Sequence, residues 1–323
     1  MSTKLIIVVP AYNETDTITQ TVKALQGLKH KFLDLGVNAD ICVINDGSVD
    51  DTGELAVSAG ADKVLTHTTN LGLGAAVRTG LSFARDGDYE IMVKFDADLQ
   101  HDPLDIIRLI QPIVDDKADI VYGNRFERID YKMPIVRKIG NRFFSAMMNK
   151  LTGWPIKDSQ PGIFAVNKSY LDISYIPGNY NYTQQVLLDA YHNGFRFSHV
   201  SVAFHKRETG KSFISLKYPF KVFPQILMVV ASVKPMKIFI PIGTSFILLS
   251  LLIASYQIAQ WIFGDGQKPI QNVNLVLGSF LFGMQTVFFG VLAQLIVQFR
   301  SSRPIQRNPT KLKKHNSSNQ EDI

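Results

Sequence analysis

Two carboxylates one residue apart, Asp96 and Asp98, close an apolar run in which Ile91, Met92, Val93 and Phe95 favour a strand. A buried strand ending in Asp-x-Asp sets hard oxygen ligands at the carboxyl edge of a sheet, where open α/β folds bind ligands. Two such ligands suit Mg²⁺ or Mn²⁺ gripping a substrate diphosphate. Acidic residues also cap turns, and Asp102 before Pro103 reads as an N-cap followed by a first-turn proline. Taken alone, the pair fits either use. Further polar runs follow short apolar segments: Pro10–Glu14, Asp46–Asp50, Asn70–Gly74 and Gly123–Arg125. The same crevice rule gathers all of them, with Asp96–His101, on one rim.

The elements that must position these groups read as strands over 4–10, 39–44, 63–65, 90–95 and 120–122. Between them lie helices over about 17–30, 51–58, 72–85 and 103–114. Ile18, Val22 and Leu25 share one helix face, and Leu73, Ala76, Val77, Leu81 and Ala84 another. Each strand is short, apolar and without alternation, the pattern of a parallel sheet covered by helices on both faces. Gly72-Leu-Gly74 is not a dinucleotide fingerprint, because Val77 stands where its third small residue belongs. A Walker loop is absent, and His101, His199 and His205 lack zinc-ligand spacing. The single cysteine, Cys42, excludes an internal disulfide and falls in an apolar strand as a small core residue, which fits a reducing compartment. Leu5–Val9 is too short for a signal-peptide core and reads as the first strand.

The ordered set Val9-Pro-Ala-Tyr-Asn-Glu14, Asn45-Asp-Gly-Ser-Val-Asp50, Asn70-Leu-Gly-Leu-Gly74, Asp96-Ala-Asp-Leu-Gln-His-Asp-Pro103 and Gly123-Asn-Arg125 resembles the family-2 glycosyltransferases of the GT-A fold. Within them it is most similar to the polyprenyl-phosphate sugar transferases, over roughly residues 4–215. The resemblance implies a Rossmann-like, mostly parallel sheet flanked by helices. It implies a nucleotide-sugar pocket lined by Pro10, Tyr12, Glu14, Ile44, Asp46, Ala97 and Arg125, with Asp46 accepting from a base N–H. Asp96 and Asp98 would be the metal and diphosphate positions, with Gln100 completing the shell, and Asp98, Asp96 and Arg125 would carry catalysis. On the acceptor side it implies Arg137, Asp158 in Asp158-Ser-Gln-Pro-Gly, Gln185, and Arg207, Lys211 and Ser212. Two departures stand out. Ile163 and Phe164 occupy places where relatives carry an aromatic and a basic residue, and Gln185 stands where many carry Glu.

Losing a carboxylate at position 185 does not end the chemistry if the acceptor is a phosphate. A phosphate monoester has a second pKa of about 6, so its oxygen is already ionised at neutral pH. Catalysis then rests on positioning and on stabilising the departing diphosphate.

Beyond about Lys217 charge almost vanishes until Arg300. From Ile238 to Phe263 and from Val273 to Phe299 no residue is charged, runs of about 26 and 27 residues, each long enough to cross a bilayer. Lys234 and Lys237 precede them, and Arg300, Arg303, Arg307, Lys311, Lys313 and Lys314 follow. The formal net charge of +6 is thus concentrated beside apolar spans, which points to an anionic leaflet rather than to nucleic acid. The positive-inside rule sets both termini and the catalytic domain in the cytoplasm, on a multi-pass protein of the cell (inner) membrane. Phe213–Val233 mixes lysines with aromatic and aliphatic residues, as interfacial helices do.

The expected organisation is a GT-A domain over 1–212, interfacial helices over 213–236, a transmembrane hairpin over 237–299 and a basic disordered tail over 300–323. The expected activity is inverting transfer of a hexose from a UDP- or GDP-sugar, UDP-glucose first, to a polyprenyl phosphate, with self-association through the spans implied by the resemblance. Alternatives are a GDP-mannose-using mannosyltransferase and a non-catalytic scaffold with a degenerate domain. A processive polysaccharide synthase needs more spans and a Gln-x-x-Arg-Trp motif that is missing.

Overall fold

A computed structural model describes residues 2–129, 135–174, 176, 182–205, 235–264 and 266–301, without the side chains of 135–137 and 299–301. The expected interfacial helices, the C-terminal tail, Arg207, Lys211, Ser212 and the side chain of Arg137 lie outside the described residues. What is described falls into two compact units, one reaching residue 205 and one beginning at 235.

The first unit is a seven-stranded sheet in the order β3-β2-β1-β4-β6-β5-β7. Its strands are β1 (Thr3–Ala11), β2 (Val37–Asn45), β3 (Lys63–Thr66), β4 (Ile91–Lys94), β5 (Ile120–Ile129), β6 (Phe164–Asn167) and β7 (Phe197–Phe204). Leu5 to Val9 are fully buried, as are Ile41 to Ile44, so β1 and β2 are covered on both faces. That burial explains their unbroken apolar runs. Helices α1 (Ile18–Gln26), α2 (Lys29–Asp34), α3 (Thr52–Ser58), α4 (Leu73–Asp86) and α5 (Asp105–Val114) alternate with the strands. Helices α6 (Ile135–Thr152), α7 (Lys168–Leu171) and α8 (Tyr182–His192) complete the unit.

Three expectations need correction. The helix expected over 17–30 is two helices, divided at Gly27-Leu28, where glycine weakens the helical run. Asp102 accepts from the Leu104 N–H at 2.9 Å and caps a turn, with α5 starting later, at Asp105. Gly123–Arg125 lies inside β5, not beyond its end: pairing with β7 runs through Asn124↔Ser201, shifts, and resumes at Arg128↔Ala203. The sheet is mostly parallel, as expected, with β6 running antiparallel to both β4 and β5.

The reversal of β6 matters for the site. A reversed strand begins where its parallel neighbours end, and Phe164 at its start pairs with Lys94 at the end of β4. The loop before β6, Asp158–Gly162, is thereby delivered to the edge that carries Asp96 and Asp98.

The second unit is a helical hairpin, α9 (Met236–Phe263) and α10 (Val273–Ser301). Both helices are long and apolar enough to cross a membrane. They approach closely at Gly243 and Gly283, where a Cβ on either would lie 2.7 or 2.6 Å from the other's carbonyl oxygen. Small residues permit such contact where helices meet in lipid. The Ser250 hydroxyl donates to the Val276 carbonyl at 2.7 Å. Gln257 Oε1 accepts from the Gln271 and Asn272 N–H groups at 2.7 and 2.9 Å, just ahead of α10.

Candidate active site

The loops after β1 and β2 are laced together. Asn13 donates its N–H to Ser48 Oγ at 3.0 Å, and its side-chain oxygen accepts from the Val49 N–H at 3.0 Å. The Glu14 N–H donates to Thr52 Oγ1 at 2.9 Å, while Thr15 hydrogen-bonds Asp50. Tyr12 stands on this lattice with 44% of its surface exposed. Pro10 and Ile44 are buried register partners in β1 and β2.

Asp46 follows β2 directly and is buried. Its Oδ1 takes hydrogen bonds from His67 Nδ1 at 2.7 Å and the Leu71 N–H at 3.0 Å, and its Oδ2 from the Gly72 N–H at 2.8 Å. His67 Nε2 in turn meets Thr79 Oγ1 at 2.9 Å. Asp46 therefore shapes the Asn70–Gly74 loop, a task its sequence position did not reveal.

At the end of β4 the side chains of Asp96 and Asp98 are half-buried and Ala97 is buried, its carbonyl accepting from Thr21 Oγ1 at 3.0 Å. Beneath them is Lys94, 1% exposed, whose ammonium hydrogen-bonds Asp96 and donates to the Gly162 carbonyl at 2.7 Å. The Tyr182 ring centroid lies 5.9 Å from that ammonium. Burial alone would drive the proton off Lys94, but the Asp96 carboxylate outweighs it and holds the pKa above the ordinary lysine value. Gly162 is pressed against the same cluster: a Cβ there would sit 2.1 Å from His101 Nε2 and 2.8 Å from Asp96 Oδ2. Burial lowers the His101 pKa to about 4, so the ring is neutral.

Arg125 is buried rather than a surface charge. Its Nε donates to Asp158 Oδ2 at 2.7 Å, its Nη2 to Oδ1 at 3.2 Å and to the Gln160 carbonyl, and its guanidinium lies 5.0 Å from the Phe204 ring centroid. Asn141 of α6 donates to Asp158 Oδ1 at 2.8 Å. Burial raises the Asp158 pKa, and the adjoining guanidinium more than reverses that, leaving it below the ordinary carboxylate value. The structure thus brings a residue expected on the donor side, Arg125, into contact with one expected on the acceptor side, Asp158.

Residues 6–173 match the family described as Glycosyl transferase family 2. The chain belongs to that family. It is 35% identical over 164 residues to an uncharacterised protein of Methanocaldococcus jannaschii, a match covering 50% of this chain and 64% of that one, just under two thirds. It is 34% identical over 192 residues to the UDP-N-acetylglucosamine–dolichyl-phosphate N-acetylglucosaminyltransferase of Methanococcus voltae, covering 54% of this chain and 73% of that one. Among solved structures it is similar to glucosyl-3-phosphoglycerate synthase of Mycobacterium tuberculosis, crystallised with Mn²⁺, UDP and glucosyl-3-phosphoglycerate. That likeness has a TM-score of 0.53 at 20% identity over 71% of this chain and 79% of the other. It establishes the GT-A fold.

In this glycosyltransferase the donor set fits a hard divalent cation. Asp96 and Asp98 would supply oxygen ligands at a strand end, and substrate phosphates or water complete such shells. Among the described residues no third acidic, histidine or cysteine side chain joins them. Gln100 is buried, its Nε2 donating to the His205 carbonyl at 3.0 Å, which leaves its oxygen as the atom with ligand chemistry. Gln185 is half-buried on α8. Sequence reasoning missed Lys94 and His67. The one available signal for Lys94 was a charge inside an otherwise apolar strand.

Proposed function

We propose that this glycosyltransferase moves a hexosyl unit from a nucleotide sugar, UDP-glucose as first assignment, to a polyprenyl phosphate at a membrane surface. The observation that carries this reading is the meeting of two loops on one edge: Asp96-Ala-Asp98 from β4 and Asp158–Gly162 from the reversed β6, joined through Lys94. The uridine nucleotide and the lipid-phosphate acceptor draw support from the name of the Methanococcus voltae relative. The apolar hairpin supports anchoring in the membrane, with the basic flanks favouring a cytoplasmic catalytic unit.

A phosphate oxygen of the acceptor attacks the anomeric carbon, and the bond from that carbon to the nucleoside diphosphate breaks, with inversion. The attacking oxygen is already ionised, so Gln185 in place of a carboxylate leaves no missing base. Asp96 and Asp98, with Gln100, are the residues that would hold Mg²⁺ or Mn²⁺, whose charge would stabilise the leaving diphosphate when bound. Tyr12, the Asn13–Asp50 lattice and the Asp46-braced loop position the nucleotide. Arg125 and Asp158 fix the shape of the acceptor loop, and Arg137, Arg207, Lys211 and Ser212 are the proposed acceptor contacts.

Purified full-length protein in liposomes containing undecaprenyl or dolichyl phosphate, given a panel of UDP- and GDP-sugars, should form a lipid-linked sugar detectable by mass. Asp98→Asn should abolish product while circular dichroism stays unchanged. No turnover of any donor overturns the proposal, and activity that survives thorough chelation overturns the metal assignment.

A further inference from the structure

Strand β4 holds a charge where its surroundings are apolar. Ile91, Met92, Val93 and Phe95 are buried, and Lys94 among them is 1% exposed. An ammonium in such a place is costly unless acceptors surround it. Lys94 has them in the Asp96 carboxylate and the Gly162 carbonyl, with the Tyr182 ring alongside. Bracing two loops does not by itself require a cation, because a side-chain amide also donates twice, to a carboxylate and to a carbonyl. What an amide lacks is the charge. The carboxylate that Lys94 bonds is one of the two at the end of β4. Asp96 Oδ1 takes that hydrogen bond, while Oδ2 lies toward Gly162, where an added Cβ would approach it to 2.8 Å. The partner carboxylate, Asp98, accepts from the Gln100 N–H at 3.2 Å. With Lys94 included, the three side chains carry one net negative charge, where the two carboxylates alone would carry two.

We propose that Lys94 is a fixed counter-charge of the donor site. Through Asp96 it weakens the hold of the site on a bare divalent cation and strengthens its hold on a cation that arrives with a nucleoside diphosphate. This rests on the donor reading given above. The carboxylates attract a bare cation, and the ammonium behind them repels it. Toward a diphosphate both signs reverse. Buried charge acts through a low dielectric and is little screened by salt, so both effects survive in solution. The same ammonium favours departure of the nucleoside diphosphate, on which negative charge develops as the bond to the sugar breaks. At 1% exposure Lys94 has almost no surface to offer a ligand, which makes it a positioning residue that acts at a distance.

The test uses full-length protein in detergent micelles and needs no turnover. Mn²⁺ binding is read from loss of the free-ion electron paramagnetic resonance signal, and UDP binding in saturating Mn²⁺ by calorimetry. Lys94→Gln keeps two N–H donors and removes the charge. It should bind Mn²⁺ alone roughly tenfold more tightly and UDP roughly tenfold more weakly, the size expected of one charge within about 10 Å at an effective dielectric of about 20. Any other pattern overturns the proposal. Unchanged affinities would mean that Lys94 only braces the loops, and weaker Mn²⁺ binding that it only aims Asp96. Should Lys94→Gln not fold by circular dichroism, its combination with Asp96→Asn, which strands no carboxylate, is compared with Asp96→Asn alone and must show the same opposed shifts. Wild-type protein that binds neither Mn²⁺ nor UDP removes the donor reading and this inference with it. Wild-type binding of both, with Lys94→Gln indistinguishable, removes only the role of Lys94.

Discussion

The proposed donor and acceptor sides of the site are held by different forces. On the donor side, the loops after β1 and β2 are joined by hydrogen bonds among Asn13, Ser48, Val49, Glu14 and Thr52, near solvent and mostly neutral. On the acceptor side, the loop before β6 is fixed by Arg125–Asp158 and by Lys94, charges removed from water. Near solvent, a lost hydrogen bond is replaced by water at small cost. In the interior a lost partner strands a charge. The acceptor side is thus built to hold one shape, and the donor side can yield locally.

That contrast is open to direct attack. Arg125→Ala, which strands the Asp158 carboxylate, should give the largest effect, a loss of about 3–5 kcal/mol in chemical denaturation. Adding Asp158→Ala should restore much of it, and failure to do so would show that the guanidinium acts mainly through Phe204. Gly162→Ala should leave a folded protein with transfer reduced roughly 100-fold, since displacing reacting groups by about 1 Å can cost that much. Its rate is read in the liposome assay, and wild-type activity would mean the loop yields after all. Asp46→Asn should have the smallest effect. With an amide there, only one of the two oxygens that accept from Leu71 and Gly72 remains, so about 1.5–3 kcal/mol of charged hydrogen bonding is lost locally. The expected signature is a raised KM for the nucleotide sugar with little change in kcat, measured by donor titration.

Much of the donor side is legible in the sequence because its motifs are local. Pro10–Glu14, Asp46–Asp50 and Asp96–Asp98 each declare a strand end within a few residues, and the sheet follows from the apolar runs before them. The acceptor side is less legible because its partners are distant. Lys94 meets Gly162 across 68 residues, and Arg125 meets Asp158 across 33. The reversal of β6 is equally hidden: Phe164–Asn167 is a short apolar run, and nothing local states its direction. The resemblance assigns Asp46 to base recognition, while its bonds to Leu71 and Gly72 arise only from the fold. α1 and α2 divide after Gln26, at Gly27, whose low helix propensity is masked in the sequence by the apolar spacing around it.

Gln257 carries a consequence for how the hairpin is born. Its side-chain oxygen closes the two backbone donors that precede α10. An open N–H in hydrocarbon costs several kcal/mol, and pulling the helices apart would expose both donors together. Where the hairpin crosses a bilayer, as proposed, its two helices would therefore favour entering lipid as one closed body rather than as two rods that meet afterwards.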